Sequence, residues 1–293
     1  FLLDKIHESG DDRLASATRW ADAFMRFSVA SQARKTHAQR VLEALARADH
    51  GLGEPPADLL GWLVDLAIAG PAVCMRRTLA TVWESGAADN SDEKRLAHAT
   101  DCASSFIDKM NRMESQRVLR AVMPGAKPWV AVSSYAAMGN LQAVFDEFLH
   151  LLKSVHRRMD ESVGAFHIAI APGAVTITAQ TALPPLKGQV KEHDFTFHCH
   201  YAVPFGNQSS TEEEGIKRIS NVRASFNSPF WPFMLNSTSI GQEGLDFHWY
   251  CRRVVHWSLP ANPIDLEQRE GRINRYKSLV VRQRVAQAYG EAL

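Results

Sequence analysis

The feature that most restricts the fold is a change of character at Pro124-Gly125. Before it, apolar residues recur at spacings of three and four; after it, short apolar runs alternate with helical stretches. Trp129-Val-Ala-Val-Ser-Ser reads as a strand ending in small hydroxyl residues. A helix carrying Leu141, Val144, Phe145, Phe148, Leu149 and Leu152 follows it. Phe166-His-Ile-Ala-Ile and Val175-Thr-Ile-Thr flank a Pro172-Gly173 turn, which predicts a hairpin. A strand is expected from Phe195 to Val203, then a helix from Glu212 through Ile216, Ile219, Val222 and Phe226. Phe233-Met-Leu-Asn and Val254-Val-His-Trp read as further buried strands, and a helix begins at Pro263. Strands alternating with helices predict an α/β fold, a parallel sheet flanked by helices and closed by right-handed crossovers. Ligands of such sheets bind beyond the carboxyl ends of strands, which directs attention to the loops after Leu235 and Trp257.

The preceding region reads as helices. Leu14, Trp20, Phe24, Phe27 and Val29 begin an apolar face that Val41, Leu42 and Leu45 continue. Gly51-Leu-Gly-Glu-Pro-Pro breaks the pattern, and Asp58 can cap a helix through Leu59, Leu60, Leu63, Leu66 and Ile68 that Gly70-Pro71 stops. Further helices are expected over Val73 to Trp83 and from about Asp92 to Met113. No chemical motif lies in this half. The expected organisation is therefore a mostly helical region over 1–125 and an α/β lobe over 126–293. A β-rich insertion is expected near 164–197.

Composition narrows the function classes. A net charge of +1 excludes the simplest DNA-binding signature, a large overall excess of Lys and Arg. The charge is uneven, however: Arg252 to Arg284 is strongly basic, with Asp265, Glu267 and Glu270 as its acidic residues, and a local field of that kind can hold phosphate. Cys74, Cys102, Cys199 and Cys251 are scattered without a C-x-x-C pair, the usage expected of a reduced, cytoplasmic protein. Adjacent strand residues such as His198, Cys199 and His200 point to opposite faces and make a poor metal site, so no metal ligands are assigned. No apolar run is expected to reach the roughly 18 residues of a membrane span, and no membrane partner is expected. The chain opens Phe1-Leu2-Leu3-Asp4 without a signal peptide or initiator Met, which reads as a segment of something longer.

Two segments carry the chemistry. Thr238-Ser-Ile-Gly-Gln-Glu-Gly-Leu-Asp246 places two hydroxyls and two glycines directly after an expected strand, where backbone can approach a phosphate closely. A plain tight turn would use the same residues. Asn262-Pro-Ile-Asp-Leu-Glu-Gln-Arg-Glu-Gly-Arg-Ile-Asn-Arg275 is the second. If it is helical, Gln268, Arg272 and Arg275 share one face at spacings of four and three. Arginine keeps its charge and binds phosphate oxygens through a planar fork, so such a stripe suits one anionic ligand. A solvated face with Glu267 and Glu270 as salt-bridge partners is the bland alternative.

In this order and spacing, the two segments resemble the carboxy-terminal RecA-like lobe of superfamily 2 helicases, including the Swi/Snf-like translocases. Thr238 to Asp246 resembles the family's motif V, and Gln268 to Arg275 resembles its motif VI, Q-x-x-G-R-x-x-R. The resemblance is specific over Asn221 to Lys277 and looser from Trp129 to Ser220. The run Phe226-Asn-Ser-Pro-Phe is similar to large bacterial helicase-like proteins, some of them in phage defence. The resemblance implies that Arg272 and Arg275 are arginine fingers and that Gln268 contacts the γ-phosphate or couples it to the lobe interface. It also implies that Gly244, Asp246 and Gly271 lie near the nucleotide, and that Thr238, Ser239 and Gly241 touch the nucleic-acid backbone. The implied cofactors are ATP and Mg2+, bound mainly by a first RecA-like lobe of the same polypeptide. The implied partner is nucleic acid, DNA before RNA.

Departures from the pattern matter equally. The sequence has no G-x-x-x-x-G-K-[ST] to cradle phosphates, so the resemblance implies a lobe inactive as an ATPase alone. Asp146-Glu147 looks superficially like a magnesium-binding pair but falls inside the helical pattern Leu141 to Leu152. A non-catalytic module that binds nucleic acid or a partner remains the alternative. A nuclease lacks the clustered acidic site it would need.

Overall fold

The computed structural model describes residues 18–19, 21–26, 28, 32–46, 57–83, 91–171, 175–179, 195–199, 212–236 and 247–290. The chain divides into two units, Phe1–His167 and Ile168–Leu293.

The regular elements described in the first unit are helices, including α1 (Gln32–Ala46), α2 (Leu59–Ala69), α3 (Pro71–Val82), α4 (Asp92–Met110), α5 (Met113–Val122), α6 (Pro128–Met138), α7 (Leu141–Val155) and most of α8 (Met159–Ile170). Local chemistry explains the boundaries. Ser91 caps α4 by accepting from the Lys94 N–H at 3.2 Å, with Asp92 and Glu93 in the first turn and Lys109 in the last, the charge order that suits the helix dipole. Asn140 takes the left-handed conformation at φ 49°, which asparagine tolerates, and caps α7 through Ala143. The α3 helix packs against α4 and α7, while α2 packs against α6 and α3.

The core is aromatic at its centre. Phe145 of α7 meets Phe106 of α4 and Phe166 of α8 edge-on, with ring centroids 5.8 and 5.7 Å apart. Phe148 lies 5.9 Å from Phe166, and Leu149, Met75 and Leu79 are fully buried around the same helices. Polar pins run between helices. Asp160 of α8 accepts from Lys94 at 2.7 Å and pairs with His98 at 2.8 Å, both on α4. Asp101 of α4 accepts from Ser28 at 2.5 Å. Burial pushes the Asp160 carboxyl up, but the bonds and charges of Lys94 and His98 outweigh that and hold it below its ordinary value.

In the second unit, β1 (Val175–Ala179) and β2 (Phe195–Cys199) form an antiparallel ribbon, with Val175 opposite Cys199 and Ala179 opposite Phe195. Helices α9 (Glu212–Phe226), α10 (Pro263–Gly271) and α11 (Leu279–Tyr289) follow. Val222, Phe226 and Phe230 supply a small buried cluster. Ser228 closes the turn beside it, donating to Ser225 O at 2.6 Å and accepting from the Phe230 N–H at 3.2 Å.

This architecture overturns the expected α/β fold with its RecA-like parallel sheet. Among the described residues, helix dominates, and the strands present are β1 and β2, paired antiparallel. Four expected strands are absent. Trp129 to Ser134 lies in α6, which Pro128 starts at the position where its missing N–H costs nothing. Phe166 to Ile170 is the last part of α8, so no hairpin crosses Pro172-Gly173. Phe233 to Asn236 and Val254 to Trp257 have no ladder partners, and Phe233, Met234, Val255 and Trp257 are exposed rather than buried.

The helices read from the sequence fare differently. Those expected over Leu59–Ile68, Val73–Trp83, Leu141–Leu152, Glu212–Phe226 and from Pro263 correspond to α2, α3, α7, α9 and α10. The expectation about membrane length needs correction: Leu59–Val82 is long and apolar enough to cross a membrane. It is interrupted within the structure, because Gly70 adopts an extended ψ of 124° between α2 and α3. Among the described side chains, Cys74, Cys102 and Cys251 are free thiols. The side chains of His198 and Cys199, and the whole of His200, lie outside the described residues.

Candidate nucleotide and nucleic-acid interface

The arginine-bearing segment starts from a well-defined cap. Asn262 accepts from the Ile264 N–H at 3.1 Å, Pro263 occupies the first turn, and Asp265 places a carboxylate at the positive end of α10. Gln268 lies on α10 and is exposed. The helix ends at Gly271, and Arg272 is its half-buried C-cap with helical dihedrals. Arg275 falls in the turns beyond, where the Ser278 N–H donates to Arg275 O at 3.0 Å. The single helical face expected of Gln268, Arg272 and Arg275 therefore reaches only to the cap. Arg272 and Arg275 each engage a partner within the chain. A Cβ added at Gly271 would meet nothing within 4 Å, so this glycine faces open space.

Two sets of contacts fix the flanks. Lys277 takes the left-handed region at φ 59° and leads into Ser278, which caps α11 through the Val281 N–H at 3.4 Å. The Leu279 N–H donates to His248 O at 2.9 Å, and Arg282 donates to Trp249 O at 2.7 Å with its guanidinium 5.3 Å from the Tyr250 ring centroid. Phe247 then packs edge-on against Phe226 of α9 at 5.5 Å. On the other side, His256 Nε2 lies 3.4 Å from Glu270 Oε1, and Arg269 donates to Ser258 O at 3.3 Å. Between those two anchored residues, the Trp257 indole is 100% exposed. The sequence predicts a buried strand over Val254 to Trp257, and this exposure overturns it. The position of Trp257 after Arg252-Arg253 and before Leu259-Pro260 was the available signal that the run is not an ordinary core strand.

The remaining candidates are not brought into view. Thr238, Ser239, Gly241, Gly244 and Asp246 lie outside the described residues. Asp146 is no magnesium ligand pair with Glu147: it sits in α7 and accepts from Thr78 at 2.5 Å and Gln142 at 2.9 Å. Among the described residues, no group of three His, Cys, Asp or Glu side chains could hold a metal ion. The chemistry of Gln268, Arg272 and Arg275, an amide on α10 and two guanidiniums at and beyond its end, suits phosphate oxygens.

Residues 206–277 match the family model described as the helicase conserved C-terminal domain. That stretch, a minor part of the chain, is helicase-like, and it contains α10, both candidate arginines and the Thr238–Asp246 segment of the sequence. No curated protein and no solved structure matches the chain.

Proposed function

We propose that this chain supplies the carboxy-terminal motor segment of a superfamily 2 nucleic-acid helicase or translocase. The observation that carries the reading is the helicase C-terminal match over 206–277, within which Gln268, Gly271, Arg272 and Arg275 keep the spacing Q-x-x-G-R-x-x-R.

Arg272 and Arg275 would meet negative charge developing on the γ-phosphate of ATP bound by a P-loop-bearing lobe, a role worth about 10³–10⁵ in rate. Gln268, exposed on α10, would bond the same phosphate or link it to the lobe interface. Gly271, Gly244 and Asp246 would lie near the nucleotide, and Thr238, Ser239 and Gly241 would touch the nucleic-acid backbone. ATP would supply the phosphoryl group that is transferred, and Mg2+ would be held mainly by the other lobe, since the two guanidiniums are donors only and cannot ligate it. Both arginines would exchange their present partners for phosphate on lobe closure, which makes assembly of the site conditional on nucleotide. DNA is the favoured strand type, and a reducing cytoplasm suits the free thiols.

The test is ATP hydrolysis by the natural protein containing these residues, with and without DNA. Hydrolysis that falls at least a hundredfold in Arg272→Ala or Arg275→Ala supports the motor reading. DNA binding without any turnover would assign the segment to a binding module instead.

A further inference from the structure

We propose that Trp257 is a stacking platform for an unpaired base of a nucleic-acid strand. This inference rests on the nucleic-acid reading above and adds a residue that motifs V and VI do not contain. The indole is fully exposed, yet its backbone is held on both sides: His256 pairs with Glu270, and Ser258 O accepts from Arg269. Trp257 thus sits between two residues that contact Arg269 and Glu270 in the last turn of α10. A flat apolar face of this size in water is unfavourable unless a partner covers it.

The surroundings identify the partner's chemistry. Arg252 and Arg253 are exposed just upstream, and Arg269, Arg272, Arg275 and Lys277 follow downstream. The nearby carboxylates are fewer than these cations: Glu267 and Glu270 are exposed on α10, Glu270 with His256 Nε2 at 3.4 Å, and Asp265 sits at the opposite end of the helix. A cation-rich surface with an exposed aromatic face fits a ligand made of phosphates and planar bases, and disfavours an apolar protein partner. Tyr276 is a second exposed ring in the same basic stretch, with Lys277 Nζ 5.6 Å from its centroid.

The experiment measures binding of a labelled single-stranded oligothymidylate and of a duplex to the whole chain by fluorescence anisotropy. Trp257→Ala is expected to raise the Kd for the single strand about tenfold or more, with Trp257→Phe staying within about threefold and duplex affinity unchanged. Because the side chain touches nothing that folds the chain, circular dichroism of both variants should match wild type. Equal single-strand affinity in wild type and Trp257→Ala would overturn the stacking role while leaving the nucleic-acid reading intact. Failure of the wild-type chain to bind any oligonucleotide would remove both. Quenching of the Trp257 fluorescence, taken as wild type minus Trp257→Phe, by ATP and not by the oligonucleotide would assign the ring to a mononucleotide and overturn the proposal.

Discussion

Phe166 and Ile168 distinguish a helix from a strand in the last turn and a half of α8. A strand through Phe166-His-Ile-Ala-Ile would put residues 166, 168 and 170 on one face. In α8 the buried positions are instead Met159, Ser162, Val163, Phe166, Ala169 and Ile170, a helical spacing of three and four, while Ile168 is 44% exposed. Phe166 is fully buried and meets Phe145 and Phe148 with centroids 5.7 and 5.9 Å away. Phe166→Ala removes a buried ring and leaves a cavity, a change costing about 3–5 kcal/mol. For a unit of this size that is a fall in Tm of about 6–20 °C. Ile168→Ala loses only the covered half of its side chain, about 1 kcal/mol, or about 2–4 °C. Urea or thermal unfolding followed by circular dichroism measures both. Comparable losses in the two variants would refute the helix and restore the strand.

Three further outcomes follow from particular contacts. A Cβ at Gly70 would stand 2.4 Å from Leu66 O, a backbone atom that cannot swing away, so Gly70→Ala should destabilise by about 1–3 kcal/mol in the same unfolding assay. Acid should weaken the first unit in two stages, read from urea midpoints against pH. Burial lowers the His167 pKa below 6.5, with Asp101 opposing and His98 adding to the shift, so the unfolded chain takes up that proton first and stability falls as pH drops through about 6.5. Asp160, held below its ordinary 3.8, contributes stability that is complete above that value and lost as pH falls through its folded pKa. His167→Gln should abolish the first stage and Asp160→Asn the second. Gly271→Ala meets no atom within 4 Å and should raise stability slightly, by a few tenths to about 1 kcal/mol, so any loss of ATP hydrolysis in it reports on bound nucleotide and not on folding.

The helices were legible because their signals are long and redundant. Leu141 to Leu152 repeats its apolar positions over three turns, and Ser91-Asp-Glu-Lys and Asn262-Pro-Ile-Asp announce their own caps. The missing strands were runs of four to six apolar residues, too short for period two to be told from period 3.6. Trp129 to Ser134 and Phe166 to Ile170 are therefore helical, with the right residues and the wrong periodicity. The parallel sheet was inferred from those runs and fell with them. At the candidate site, side-chain chemistry was readable and geometry was not. The Gln268, Arg272, Arg275 spacing is visible in the sequence, whereas the end of α10 at Gly271 and the anchoring of His256 and Ser258 around Trp257 depend on contacts distant in sequence.

The most direct test of the motor reading is DNA-stimulated ATP hydrolysis by the natural protein containing residues 1–293, wild type beside Arg272→Ala and Arg275→Ala. Turnover in the wild type with a fall of about a hundredfold or more in either variant is the expected result. Wild-type rates in both variants, or DNA binding with no turnover at all, would contradict it.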